Sequence, residues 1–257
     1  MVKVKICGIT NWTDAKRAIE DGADLLGFNF YEGSPRYVTP AKARRMVRRL
    51  PKGISAVGIF VNESELKMLE IARTVGLDQL QLSGEESPAM VARLGRSVRV
   101  IKTVRVRKPF RQAQLAAFKR ASAILLDGFD RSARGGTGKT FDWQIALRAK
   151  RHGRIFLAGG LTPENVGEAI RAARPYAVDV CSGVEARPGK KDPARMRRLI
   201  RAAKATGILI LATAFGSTCV PCSPMCPATP ILNQLNLAGS GTKGSGTLLG
   251  LSLSTSA

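Results

Sequence analysis

One histidine, three tyrosines and two tryptophans are all that this 257-residue chain carries of those types. Aromatic residues make up 5% of it, and Trp12, Trp143 and Tyr176 fall in separate segments. That scarcity argues against a platform on which nucleic-acid bases stack. Acids are scarce too: 19 against 41 lysines and arginines, for a net charge of +22. No apolar run is long enough to cross a bilayer; the longest candidate, residues 208–215, falls well short. The opening "MVKVKICGIT" is charged and strand-like, which does not fit a secretory leader. Five cysteines are too few and too scattered for a disulfide scaffold. Cys7 and Cys181 lie far apart in strand-like runs, which points to a reducing cytoplasm.

The positive charge is mostly arginine on amphipathic runs such as "AKARRMVRRL" and "PARMRRLIRAAKA". Such runs read as solvated helix faces, so a nucleic-acid partner is not expected despite the charge. From about residue 208 the composition breaks. One lysine (Lys243) remains, with no arginine and no acid, among Ser, Gly, Thr and Pro. Residues 207–257 are therefore expected to form a disordered tail. Its Cys219, Cys222 and Cys226 have no fourth ligand nearby, so no metal site is expected there.

Before residue 206 one unit recurs: a short apolar run, a polar turn, then a stretch with helical period. The strand-like runs are "VKVKICGI", "ADLLGFNF", "SAVGIFV", "LDQLQLS", "RVIKTV", "SAILLDG", "RIFLAGG" and "AVDVCSG". Their lack of alternation suits parallel strands buried on both faces. Eight strand–helix units in residues 1–206 predict an α/β fold, a single (β/α)8 TIM barrel; an open doubly wound sheet is the alternative. The helix after "RVIKTV" is the least defined, somewhere within 109–120.

A barrel places its chemistry at the C-terminal ends of the strands. Those positions hold Cys7, Asn29, Ser83, Lys102, Asp127, Gly159, Gly160, Ser182 and Gly183. His152 precedes strand 7, at the opposite end, so acid and base must come from cysteine and aspartate. "ARGGTGKT" (133–140) resembles a nucleotide-binding loop, but "GFDRSA" separates it from the strand, and Ala133 replaces the leading glycine. A mobile loop closing over the barrel mouth fits it better. "AGGLTPENV" and "CSGVEARPG" follow strands 7 and 8, where barrels bind a substrate phosphate. Gly159, Gly160, Ser182 and Gly183 are the candidate phosphate-binding residues.

Taken together, "KICGIT", "GFNFYEGSPRYV", "LLDG", "GGTGKTFDW", "LAGGLTPENV" and "VDVCSGVE" resemble the phosphoribosylanthranilate isomerase family over residues 2–206. The resemblance implies an Amadori rearrangement without cofactor or metal, in tryptophan biosynthesis, on a phosphosugar substrate. It implies Cys7 as general base and Asp127 as general acid. Arg36 would anchor the anthranilate carboxylate, and Asp179 would orient substrate or loop. A cytoplasmic monomer or homodimer is expected. One position departs from the family: "QLSG" has Ser83 where the family usually has histidine. Lys102 is either functional or an ion-pair partner inside the barrel. A related phosphosugar isomerase is the nearest rival, but that class generally uses two aspartates where this chain has Cys7 and Asp127.

Overall fold

Eight parallel strands close on themselves in this computed structural model, which describes residues 1–107, 109–128 and 142–215, with backbone alone from 211 onward. They are β1 (Lys3–Ile6), β2 (Leu25–Asn29), β3 (Ser55–Phe60), β4 (Gln79–Leu82), β5 (Arg99–Val106), β6 (Ala123–Gly128), β7 (Ile155–Ala158) and β8 (Ala177–Val180). Each pairs with the next, and β8 returns to β1 with Lys5 beside Asp179 and Ile6 beside Val180. The expected (β/α)8 barrel is the fold.

Most of the apolar runs lack alternation because each strand face meets a different core; β1 (KVKI) and β4 (QLQL) do alternate, with buried Lys5, Gln79 and Gln81 between their apolar residues. Outward residues such as Val4, Ile6, Leu26, Leu80, Leu126 and Val178 pack against the surrounding helices. Inward residues Leu25, Val57, Ile101, Leu125 and Phe156 fill the barrel itself. Side chains alternate along a strand, so both sets can be apolar only when both faces are buried. This interior plug is the floor on which the site rests.

Helices α1 (Trp12–Glu20), α2 (Pro40–Val47), α3 (Glu65–Val75), α4 (Pro88–Leu94), α5 (Gln144–Ala149) and α6 (Val166–Ala173) return the chain between strands, and α7 (Pro193–Phe215) follows the last of them. Four of them start on side-chain caps: Asn11, Thr39, Ser64 and Ser87 each accept a hydrogen bond from a first-turn N–H. Each such cap satisfies an orphan donor and contributes about 1 kcal/mol. Between β5 and β6 the connection is a 3-10 helix, Gln112–Phe118, whose cap position Arg111 makes no side-chain cap. A 3-10 turn of this kind lacks the 3.6-residue period of an amphipathic helix, so the sequence pattern there is weak.

Two elements differ from expectation. After β8 the chain forms a short antiparallel hairpin, β9 (Glu185–Arg187) with β10 (Lys190–Lys191), turning at Gly189. And α7 runs on through the expected domain end at 206 as far as Phe215. Thr206 and Gly207 are buried, with Gly207 against Val2. The break at 208 is one of charge, and "GILILATAF" still favours helix. The glycine-rich segment 133–140, Cys219, Cys222, Cys226 and the tail expected to be disordered lie outside the described residues, apart from the part of α7 beyond 206.

Candidate active site

The strand ends and following loops enclose a cavity of about 310 Å³ over the C-terminal mouth of the barrel. Cys7, Asp127, Asp179, Gly159, Gly160, Ser182 and Gly183 all line it. Arg36 does not; it lies beside the cavity, across Gly8.

Cys7 directly follows β1, and its N–H donates to the Val180 carbonyl at 2.8 Å. Because Ile6 and Val180 are register partners, the next pair around the mouth is Cys7 and Cys181. Both are free thiols. Below Cys7, Lys5 is fully buried and donates to Asp179 Oδ1 at 2.7 Å. Burial alone would strip the Lys5 proton, but the Asp179 and Cys7 charges outweigh it and hold the ammonium well above its usual range. A hydrogen bond from Cys181 is the main influence on Cys7. Against the opposing effect of burial, and with help from Lys5, it lowers the Cys7 thiol from 9.0 to about 7. The Cys181 proton is correspondingly held, its pKa pushed well up by that bond and by burial.

Asp127, near the end of β6, shows the opposite behaviour. Burial pushes its carboxyl up and the Asp179 charge adds to this, against a smaller opposing influence from Arg105. The mouth therefore carries a thiol tuned to lose its proton and a carboxyl tuned to keep one.

The loops after β7 and β8 pack against each other. Gly159 (φ +87°) and Gly160 (φ +65°) adopt left-handed backbone, and a Cβ on Gly159 would run into the Gly128 backbone. A Cβ on Gly183 would overlap the Leu161 carbonyl oxygen. Asn165 fixes the first loop, donating to Gly160 O at 2.8 Å and accepting from Thr162 N at 2.8 Å. These glycines allow a close approach that no side chain would permit.

Arg36 forms a side-on ion pair with Glu185, Nε to Oε1 at 2.9 Å and Nη2 to Oε2 at 2.6 Å. Its stem crosses Gly8, where a Cβ would lie 2.7 Å from Arg36 Cδ. Gly8 has φ +72°, so the residue after Cys7 both turns the chain and leaves room for Arg36. Asn29 shapes the approach: it accepts from Tyr31 N and donates to Ser34 Oγ, which accepts from Arg36 N.

Of the two remaining strand-end positions, Ser83 lines the cavity and Lys102 does not. Lys102 follows the inward Ile101 on β5, so its side chain faces the helix layer and not the barrel interior where an ion pair was expected. There it lies over the Phe118 ring and donates to Glu86 Oε2 and Gly84 O, both at 2.7 Å. Ser83 Oγ lies 3.0 Å from Thr103 Oγ1 and accepts from Gln81 Nε2 at 3.2 Å.

Sequence reasoning passed over Lys5, Arg105, Glu185 and Lys191, and it treated Cys181 only as evidence of a reducing environment. Lys5 had a visible signal, a lysine in the middle of an apolar strand, which a barrel can bury only against a carboxylate.

A family model described as N-(5'phosphoribosyl)anthranilate (PRA) isomerase matches residues 4–202. The chain belongs to the phosphoribosylanthranilate isomerase family. The family's enzyme from Citrifermentans bemidjiense is 52% identical over 209 residues, which cover 81% of this chain and 100% of that one. A structure of monomers generated from the dimeric isomerase of Thermotoga maritima is 43% identical, with TM-score 0.72, covering 80% of this chain and 100% of that one. A phosphoribosylanthranilate isomerase structure in complex with reduced 1-(o-carboxyphenylamino)-1-deoxyribulose 5-phosphate gives 42% identity, TM-score 0.72 and the same coverage. Among the described residues no helix is long and apolar enough to cross a membrane.

Proposed function

We propose that this barrel converts N-(5-phosphoribosyl)anthranilate into 1-(2-carboxyphenylamino)-1-deoxyribulose 5-phosphate, with Cys7 as base and Asp127 as acid. The observation that carries the assignment is the opposed tuning of these two groups in one cavity, thiol lowered and carboxyl raised. Asp127 gives its proton to the ribose ring oxygen, and the furanose opens to a Schiff base. The Cys7 thiolate removes the proton from C2, the electrons move to nitrogen, and an enolamine forms. Tautomerisation to the ketone completes an isomerisation in which only protons move, so no electron acceptor is required.

Lys5 and Asp179 support the pair from below. Lys5 favours the Cys7 thiolate against the smaller opposing charge of Asp179, and Asp179 adds to the burial that raises the Asp127 carboxyl. The loops carrying Gly159, Gly160, Ser182 and Gly183 take the phosphate, and Arg36 takes the anthranilate carboxylate. The low thiol pKa suits a reducing compartment, and we read the enzyme as cytoplasmic, a monomer or a homodimer like its dimeric relative.

Cys7→Ser tests the base directly. Turnover should fall by about 10²–10⁴, the range a positioned proton-transfer group supplies, while calorimetric binding of the reduced product analogue stays near wild type. Turnover at the wild-type rate would remove Cys7 from the mechanism.

A further inference from the structure

The hairpin after β8 buries a carboxylate that the proton transfers do not use. The Glu185 side chain is 4% exposed, yet it pairs with Arg36 at 2.6 Å and Lys191 at 3.0 Å. It also accepts from the Gly189 N–H at 3.2 Å. Lys191, itself buried, holds the chain at this point by donating to the Cys181 carbonyl at 3.1 Å.

The geometry of the Arg36 pair decides what this arrangement can do. A guanidinium has five N–H donors on two usable edges. Glu185 takes the inner edge, through Nε and Nη2. Nη1 and the second Nη2 hydrogen form an outer edge, and no acceptor among the described residues takes it. Arg36 side-chain exposure of 22% leaves that edge reachable. Two cations, Arg36 and Lys191, face the Glu185 carboxylate, and the Cys7 thiolate lies near enough to interact with both. The neighbouring Cys181 thiol, 3.9 Å from both Lys191 Nζ and Glu185 Oε1, adds no charge while it keeps its proton.

We propose that Glu185 is the positioning residue of the aryl-carboxylate site, holding Arg36 by its inner edge so that the outer edge meets a carboxylate ortho to the substrate nitrogen. The inference rests on Arg36 being the carboxylate anchor. Glu185 touches no substrate; it sets the direction of the fork. A guanidinium fixed in direction discriminates between ring positions, whereas a free one accepts any carboxylate within reach.

The experiment compares two reduced product analogues, with the ring carboxylate ortho or meta to nitrogen. Their dissociation constants are measured by calorimetry with wild type, Glu185→Gln, Glu185→Asp, Arg36→Ala and the Arg36→Ala/Glu185→Gln double variant. Wild type should prefer the ortho isomer. Glu185→Gln should reduce that preference by about tenfold, a modest share of what misplaced geometry can cost. Glu185→Asp keeps the charge for Lys191 and loses the two-point hold, so it reads the same effect if the glutamine variant does not fold. Once Arg36 is gone, Glu185→Gln should change the preference no further. A residue that served only the fold would weaken both isomers equally. Wild-type preference in Glu185→Gln or Glu185→Asp, with preference lost in Arg36→Ala, overturns the role of Glu185 and leaves the anchor standing. Unchanged preference in Arg36→Ala overturns the anchor itself, and the inference with it.

Discussion

Removing Cys181 should disarm Cys7 without touching it. The Cys7 thiol is lowered from 9.0 to about 7, which favours the thiolate. Against about 1% base form for an ordinary thiol at pH 7, the gain is on the order of tens of fold. The hydrogen bond from Cys181 is its largest single source, ahead of the Lys5 charge. In Cys181→Ala, alkylation of Cys7 by iodoacetamide, followed on its own peptide by mass spectrometry across pH 5–10, should show a midpoint clearly above 7. The sign for catalysis follows from the base being the deprotonated form. A higher pKa means less thiolate at pH 7 and a slower rate there, with the deficit shrinking as pH rises past the new midpoint. Cys181→Ser, whose hydroxyl still donates, should recover part of the shift. A midpoint that stays at about 7 in Cys181→Ala would refute the reasoning.

Gly183→Ala should force the β7 and β8 loops apart, because its Cβ overlaps the Leu161 carbonyl oxygen. KM should rise by about tenfold, about 1.4 kcal/mol of lost phosphate binding, and an unchanged KM in steady-state kinetics would dissociate these loops from substrate. Lys5→Met leaves Asp179 buried without its partner, so urea unfolding should show a loss of about 3–5 kcal/mol. A loss under about 1 kcal/mol would mean that the pair is not what holds Asp179.

The barrel was legible because its signal is local. Most strands announce themselves by a short apolar run, interrupted in β1, β4 and β5 by Lys5, Gln79, Gln81 and Lys102, and caps such as Ser64 and Ser87 mark helix starts within a few residues. Cys7 and Asp127 could be placed at the mouth for the same reason, from strand ends alone. What escaped was long-range pairing. Lys5 and Asp179 are 174 residues apart, and Arg36 and Glu185 are 149 apart; no local period connects them. Glu185 was further obscured because "VEARPGKK" looks like an irregular loop, although its Gly189 turn closes a small hairpin. Lys102 was left between two roles because the choice depended on Glu86, a buried carboxylate that composition cannot place. The end of the last helix was missed for a different reason: the loss of charge after 207 removed the amphipathic signal while the helix continued.

The central claim is that Asp127 supplies the proton that opens the ring while Cys7 takes the one from C2. Purified protein mixed with freshly generated phosphoribosylanthranilate should quench its fluorescence rapidly. Asp127→Asn should slow that decay by about 10²–10⁴ while binding the reduced product analogue as tightly as wild type. Decay at the wild-type rate in Asp127→Asn would contradict the account at its centre.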